Sequence, residues 1–452
     1  MRLAVIGAGI VGVTTAFELA CDGHEVSVFE RGGSVAGQTS FANAGVVAPG
    51  YVTLWAAPGM TGKVLRHLLR RHTPVRLHPT LSPTTLAWLV RWRRASRLPA
   101  YQANRARMQR LAEYSRDRLH HLTDLLRLDY ERSTGYLVLL RSAKDLALAQ
   151  PGLDLLARGG TRFSVLDAAG CLLHEPGLER ATELHAGIHL PDDEVGNCRQ
   201  FAMLLREQAQ RLGVRFVFHT EVERIEGAAQ PTVTHRRVVA DTDPETSPRR
   251  ARRAASDTAE HATTEPMPQG PVSEGFDAVV VCAALGSKAL LRPLGVKLPL
   301  LAVHGYSITA PLREHPQHPD HGPRSGLMDE RYKVAITRLG NRVRVAGGAE
   351  IGGTPDRHNE AALATLHKVL HDWFPGSALM SQAQVWKGAR PMLPDGPPLL
   401  GRSGADGIWL NLGHGASGWA LACGCAGVLA DLMAGRAPAI DIEGLGIERL
   451  RG

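Results

Sequence analysis

The hydrophobic period of the chain changes twice within its first thirty residues. Residues 1–6 (MRLAVI) are a short apolar run that ends in glycine. Residues 10–21 then place Val13, Ala16, Phe17 and Leu19 on one side at helical spacing, and residues 25–30 (EVSVFE) alternate with a period of two. Strand, glycine turn, helix and strand in so short a span define a βαβ unit. Residues 61–126 carry a helical pattern that Pro74, Pro79, Pro83 and Pro99 are expected to break. Strands are predicted at 134–140 and 161–166 around a helix, then an amphipathic helix at 200–212 and a strand at 214–219. Further strands are predicted at 306–309, 333–338 and 342–347, the last two joined by a Gly340-Asn341 turn. A helix at 359–374, a strand at 408–412 and an Ala/Gly/Leu-rich helix at 418–434 complete the pattern, which contains no internal repeat.

One stretch breaks it. Residues 228–273 hold Pro, Thr, Ala, Arg and Glu with almost no large apolar side chains. They are read as a poorly ordered surface insertion, and their Arg249, Arg250, Arg252 and Arg253 as a solvated loop rather than a nucleic-acid site.

Composition narrows the class. A chain of 452 residues is too long for one simple core, and 44% apolar with 21% charged residues suits a soluble globular protein. No apolar run reaches the length of a spanning helix. Gly7, Gly9, Gly12, Glu18 and Asp22 interrupt the apolar N-terminus, which argues against a signal peptide. Six scattered cysteines form no C-x-x-C pair, so neither a zinc site nor a disulfide scaffold is expected, and the cytoplasm is the default location. The histidines show no ligand spacing either, and no metal is expected. The net charge of +8 is concentrated: residues 31–112 contain no acid and 13 of the 52 Lys and Arg, leaving a net negative remainder. Such a segment suits a polyanionic surface.

Gly7-Ala8-Gly9-Ile10-Val11-Gly12 fits G-x-G-x-x-G, follows a strand, opens a helix and is answered by Glu30 at the end of the second strand. Glycines there allow a tight turn, approach of a pyrophosphate and close helix packing, with the helix N-terminus facing the phosphates. Glu30 would accept hydrogen bonds from an adenosine ribose and repel a 2′-phosphate, which disfavours NADP. Two later features favour FAD over NAD: an apolar strand ending in Ala-Leu-Gly-Ser at 276–287, and the small residues of 39–50 (TSFANAGVVAPG), which suit a chain running along a flavin.

Together with these motifs, LPDDEVGNCRQF at 190–201, MDERYKVAITR at 328–338, RVRVAGGAEIGG at 342–353, WKGARPMLPDGPPLLGR at 386–402 and LNLGHGASGWALACG at 410–424 carry a resemblance. The sequence resembles the bacterial FAD-dependent D-amino-acid dehydrogenases, within the D-amino-acid oxidase and glycine oxidase superfamily. The resemblance implies an α/β fold in which a Rossmann-like FAD-binding domain (1–55, 190–299, 386–452) interleaves with an α+β substrate domain (56–189, 300–385). It implies oxidative deamination of a D-amino acid, with electrons passed to a quinone or another respiratory carrier. Arg390 of Gly388-Ala389-Arg390-Pro391 would grip the substrate carboxylate, with Tyr332 and Tyr306 as further substrate-site residues. Cofactor contacts are expected from Gly7, Gly9, Ile10, Val11, Gly12, Glu30 and Arg31, from Ser40, Asn43, Ala44 and Gly45, and from Val222 and Gly286. The loop and helix start at Gly413, His414, Gly415, Gly418 and Trp419 would complete them and stabilise negative charge on the reduced flavin. His414 is assigned no catalytic proton.

Two rival readings are a dehydrogenase of a cyclic imino acid such as D-proline, and a non-catalytic flavoprotein that binds membrane or nucleic acid. The segment 61–110, with Trp88, Trp92 and leucines among arginines, is expected to approach the cytoplasmic face of the inner membrane.

Overall fold

In the computed structural model, which describes residues 1–52, 54–60, 62, 72–78, 81–238, 270–313, 321–355 and 357–450, the predicted βαβ unit forms at the two changes of period. The strand Arg2–Ile6 pairs in parallel with Glu25–Phe29, and the helix Ile10–Cys21 crosses between them. Each strand buries four of its five residues, as expected for a parallel sheet covered on both faces. The sheet has six strands, in the order Leu399–Arg402, Ile408–Leu412, Ala278–Val281, Arg2–Ile6, Glu25–Phe29, Arg215–Val217. All neighbours are parallel except Leu399–Arg402, which runs antiparallel at one edge.

A second, larger sheet runs in the order Gln384–Met392, Leu301–Pro311, Arg342–Ile351, Val334–Leu339, Gly326–Asp329, Ser133–Leu140, Ala186–Val195, Val46–Val47. Helix Glu360–Trp373 covers one face, where Ile308, Val334, Ile336, Val345 and Trp373 form a core. The expected limits at 189/190 and 385/386 fall inside strands of this sheet. Helix Leu98–Leu126 lies against the first helix, Ile10–Cys21, and the last. Arg118 donates both its bonds to Glu18 of the first helix, and Gly424 of the terminal helix Gly418–Met433 packs against Ser115 and donates its N–H to Ser115 Oγ at 3.0 Å.

One local expectation holds and one is corrected. The helical pattern is interrupted at Pro83 and Pro99 as expected: each stands in the first turn of a new helix (Pro83–Ala95, Leu98–Leu126), where the missing N–H is not needed, and Ser82 caps the first through the Thr85 N–H. Val75–Leu77, inside the region read as helical, is a strand beside Arg342–Ile351. The ends of the expected insertion are also ordered. Thr232–Arg237 pairs with Val272–Gly275 and with Thr220–Glu226 in a small three-stranded sheet. A sheet wet on one face needs few apolar residues: Val233 is buried beside Ile225 and Phe276. The middle of that insertion, 239–269, and Leu65, Leu68, Leu69, Arg66, Arg70 and Arg71 of the basic segment lie outside the described residues.

Candidate active site

The glycine turn is built by contacts that no side chain could share. Gly7 sits at φ +100°, and a Cβ there would lie 2.9 Å from the Cys282 carbonyl oxygen. A Cβ on Gly12 would overlap the Gly7 carbonyl, so the helix packs directly on the turn. Gly9 differs: its Cβ would meet only Ser40 Oγ at 3.6 Å, and its outer side is open. Gly9 caps the helix without a side-chain bond, and Ser40 Oγ accepts the Ile10 N–H at 3.2 Å. Glu30 fastens the turn: its carboxylate accepts the N–H groups of Ala8 and Gly32, each at 2.8 Å, and each oxygen keeps a further lone pair.

A cavity of about 2370 Å³ starts at this turn. It exceeds the range of about 300–1,000 Å³ usual for a small-ligand pocket, so it has room for a long cofactor with a substrate beside it. Its wall includes Gly7, Gly9, Ile10, Val11, Glu30 and Arg31 at one end, with Val222 and Gly286 nearby. Ser40, Asn43, Ala44 and Gly45 follow. Gly45 turns at φ +74° with its N–H on Asn43 Oδ1, and buried Arg344 holds the Asn43 carbonyl at 3.0 Å from behind. Burial pushes the Arg344 guanidinium down to about 10. Thr39 Oγ1 donates to the Ala389 carbonyl at 2.8 Å and ties this stretch to the strand that carries Arg390.

Arg390 occupies the floor of the cavity. Its Nη1 donates to the Gly348 carbonyl at 2.8 Å, and no carboxylate pairs with it among the described residues. Burial holds its guanidinium down at about 10, a measure of how poorly solvated the charge is. Around it the floor is made of small residues: Gly305, Ala335, Ala346, Gly347, Gly348 and Gly388. Trp386 folds across Gly388, whose Cβ would overlap its ring.

The loop Gly413–Gly415 closes the far side, with φ +81° at Gly413 and +58° at Gly415, and the Gly415 N–H bonds the Pro391 carbonyl at 3.2 Å. It leads into the terminal helix at Gly418. His414 is buried, and desolvation pushes its imidazole down to about 3, so at neutral pH it is uncharged, with one ring nitrogen a donor and the other an acceptor. His414 Nε2, Asn411 Oδ1 and Trp419 Nε1 are buried without a partner among the described residues, and all three residues line the cavity. The Trp419 ring itself packs against Phe201 and Tyr130 in the core.

The two tyrosines expected beside Arg390 both border the cavity, and each is held by contacts of its own. Along paired strands Val303 faces Arg390, Gly305 faces Gly388 and Tyr306 faces Lys387. Side chains alternate, so Tyr306 leaves the sheet on the face opposite Arg390. There it is 2% exposed, donates to Glu350 and accepts the Asn359 N–H at 3.2 Å. Its hydroxyl is committed to the fold. The Tyr332 ring lies under the cations of Arg141 and Lys368, at 5.3 and 5.7 Å, toward the 360–373 helix, though the residue borders the cavity. The next residue, Lys333, faces the cavity with Tyr51 and Glu330. These three carry no spacing signal, and sequence reasoning missed them; so did it miss Gly305, which matters only because of what lies over it.

Trp88 and Trp92 are also placed differently from expectation. Both are buried, and Trp88 Nε1 donates to the Met392 carbonyl at 3.2 Å, so neither presents its ring to a head-group surface. None of the described helices is long and apolar enough to cross a membrane.

A glycine turn of the phosphate-binding kind, a carboxylate at the end of the second strand and a long cavity define a class: a dinucleotide-dependent oxidoreductase. The open space over Gly9 and the unpartnered atoms of His414 and Asn411 fit an extended flavin dinucleotide. The chain belongs to the family described as FAD dependent oxidoreductase, which matches residues 2–432, and FAD is its cofactor. It is therefore an enzyme, and the non-catalytic alternative falls away. Among curated relatives, a D-amino acid dehydrogenase of Rhizorhabdus wittichii is 42% identical over 99% of this chain and 100% of its own length. One from Cereibacter sphaeroides is 44% identical over 99% of this chain and 95% of its own. Among solved structures, glycine oxidase from Geobacillus kaustophilus superposes with a TM-score of 0.69 at 20% identity, covering 99% of this chain and 98% of its own. L-proline dehydrogenase from P. horikoshii does so at 0.68 and 16%, covering 100% and 97%. These two show a shared fold.

Proposed function

We propose that the protein oxidatively deaminates D-amino acids to 2-oxo acids and ammonia. The observation that carries this is Arg390: a half-buried, poorly solvated guanidinium with no carboxylate partner among the described residues, on a floor of small residues within the cofactor cavity. A poorly solvated charge without a counter-ion is costly, and a substrate α-carboxylate supplies the missing partner in a bidentate geometry. The names of the curated relatives support the D-amino acid class. Bound FAD supplies the acceptor for the hydride that leaves the substrate Cα, and the imino acid so formed hydrolyses to the 2-oxo acid and ammonia. The chain itself positions and desolvates: Arg390 fixes the carboxylate, the Gly413–Gly415 loop closes the wall, and neutral His414 takes no proton. Fixing the reacting bond in a dry site accounts for much of the rate.

The division into a cofactor part and a substrate part belongs to this reading, as does the acceptor. An apolar lobe of the same cavity, walled by Trp55, Met60, Leu77, Trp88, Leu89 and Trp92, supports a lipophilic electron acceptor such as a quinone. Leu86, Val90 and Leu98 are exposed among Arg91, Arg93, Arg94 and Arg97 at the outer surface of this region, which supports reversible contact with an anionic membrane face.

Anaerobic flavin reduction tests the reading. The purified yellow protein is mixed with D- and L-amino acids, glycine, sarcosine and proline isomers, and its absorbance is followed. D-Amino acids are expected to bleach it and their L-enantiomers are not. Bleaching by none of the D-amino acids would refute the proposal.

A further inference from the structure

Lys333 stands at a place where the backbone is forced. It takes φ +52°, in the left-handed region that a side chain rarely adopts, as it enters the strand Val334–Leu339. Strain of this kind collects where a side chain is being aimed. A Cβ on Gly347 would lie 2.9 Å from the Lys333 carbonyl oxygen, and the next residue, Gly348, holds Arg390. Lys333 therefore rises from the floor beside the carboxylate anchor.

Its ammonium is propped from two sides. Nζ donates to Tyr51 Oη at 2.9 Å and to Glu330 Oε1, while Tyr51 donates to Glu330 Oε2 at 2.5 Å. Both carboxylate oxygens are thereby engaged. The third N–H of Lys333 has no partner among the described residues, and its side chain keeps 41% of its surface accessible. All three residues line the cavity. Arg331 and Lys144 border it too, and Arg331 is engaged by Asp145 at 3.2 Å.

We infer that Lys333, held by Tyr51 and Glu330, determines which substrate side chain is preferred: its spare N–H receives a hydrogen-bond-accepting group, a hydroxyl, amide or carboxylate, and its charge disfavours a cationic one. This rests on the reading of Arg390 as the carboxylate anchor of an amino acid. With the carboxylate fixed there, the side chain extends over the glycine and alanine floor toward a cation on a four-carbon stem. Tyr51 and Glu330 are positioning residues: they act through Lys333.

The test is a ratio. Dye-linked kcat/KM is measured for D-alanine, D-glutamine and D-lysine with the wild-type holoenzyme and with Lys333→Met, each checked for an intact flavin spectrum. The variant is expected to lower the D-glutamine to D-alanine ratio about tenfold or more, as loss of a hydrogen bond to a charged group does, and to raise the D-lysine to D-alanine ratio. Tyr51→Phe, which leaves the charge but removes one prop, should shift both ratios in the same direction by less, mainly through KM. Should Lys333→Met fail to retain flavin, Lys333→Gln and Tyr51→Phe carry the measurement. Unchanged ratios in the variants, with a wild type that turns over D-amino acids, overturn the inference alone. A wild type that oxidises none of the three overturns the functional reading and this inference with it.

Discussion

Gly305 and Arg390 share one volume: a Cβ on Gly305 would lie 2.6 Å from the Arg390 guanidinium carbon. The arginine leaves its strand opposite Val303 and folds back across Gly305 to reach the Gly348 carbonyl. The place of Arg390, the proposed carboxylate anchor, is set by a residue with no side chain, on a neighbouring strand, 85 positions earlier.

Gly305→Ala is therefore expected to displace the guanidinium while leaving the sheet paired. Its kcat/KM for D-alanine should fall at least about tenfold, mainly through KM, with the flavin spectrum intact. Kinetics indistinguishable from wild type would mean that the arginine has room to spare.

Truncating the arginine removes the anchor outright. Loss of one partner from a desolvated charged pair typically costs about 2–5 kcal/mol, so Arg390→Ala should lower kcat/KM by several orders of magnitude. Arg390→Lys should recover little, because a point charge cannot hold a carboxylate with two parallel bonds. Activity of Arg390→Ala within a few-fold of wild type would remove this residue from the site.

The glycines of the turn should fail in different ways. A Gly9 side chain meets only Ser40 Oγ, at 3.6 Å, and otherwise fills the space over the helix end, so Gly9→Val should fold but purify colourless. A Gly12 side chain overlaps the Gly7 carbonyl, so Gly12→Val should lower the melting temperature of the protein even without flavin. Equal flavin retention in Gly9→Val and wild type would contradict this placement. The flavin should be non-covalent, and acid precipitation should leave the protein pellet white.

Asp193 provides a pH signature. Burial raises its carboxyl from 3.8 to about 7; Oδ1 accepts the Gly50 N–H at 3.1 Å, and Oδ2 has no partner among the described residues. Between these two values the folded chain keeps a proton that the unfolded chain has released. The contribution is thus complete below the unfolded value and is lost as pH rises through about 7. Asp193→Asn keeps the acceptor for Gly50 and removes the charge. Its melting temperature should match wild type below about pH 4 and exceed it by a margin that grows up to about pH 7 and is constant above. An offset that does not vary with pH would refute the assignment.

The basic outer face predicts salt-dependent membrane binding. The protein should sediment with anionic but not zwitterionic vesicles at low salt and be released as salt rises. Each cation near such a surface contributes about 1 kcal/mol, so combining Arg91→Glu, Arg93→Glu and Arg94→Glu should leave the protein in the supernatant. Sedimentation unaffected by these changes would place any membrane contact elsewhere.

What the sequence by itself determined was local in origin. The βαβ unit, its glycine turn and Glu30 were legible because period and glycine spacing report on adjacent residues, and from them followed the cofactor class. Arg390 was legible through the Gly-Ala-Arg-Pro segment that carries the resemblance. Tertiary structure decided what depends on register between distant strands. Pairing with Lys387 sent Tyr306 to the far face of the sheet, and the packing of helix 83–95 against Met392 buried Trp88. The same long-range assembly brought Tyr51 to Glu330 and Lys333, 279 and 282 positions along the chain. A tyrosine, a glutamate and a lysine at such separations have no period to betray them; only the closing of the sheet over the cavity makes them neighbours.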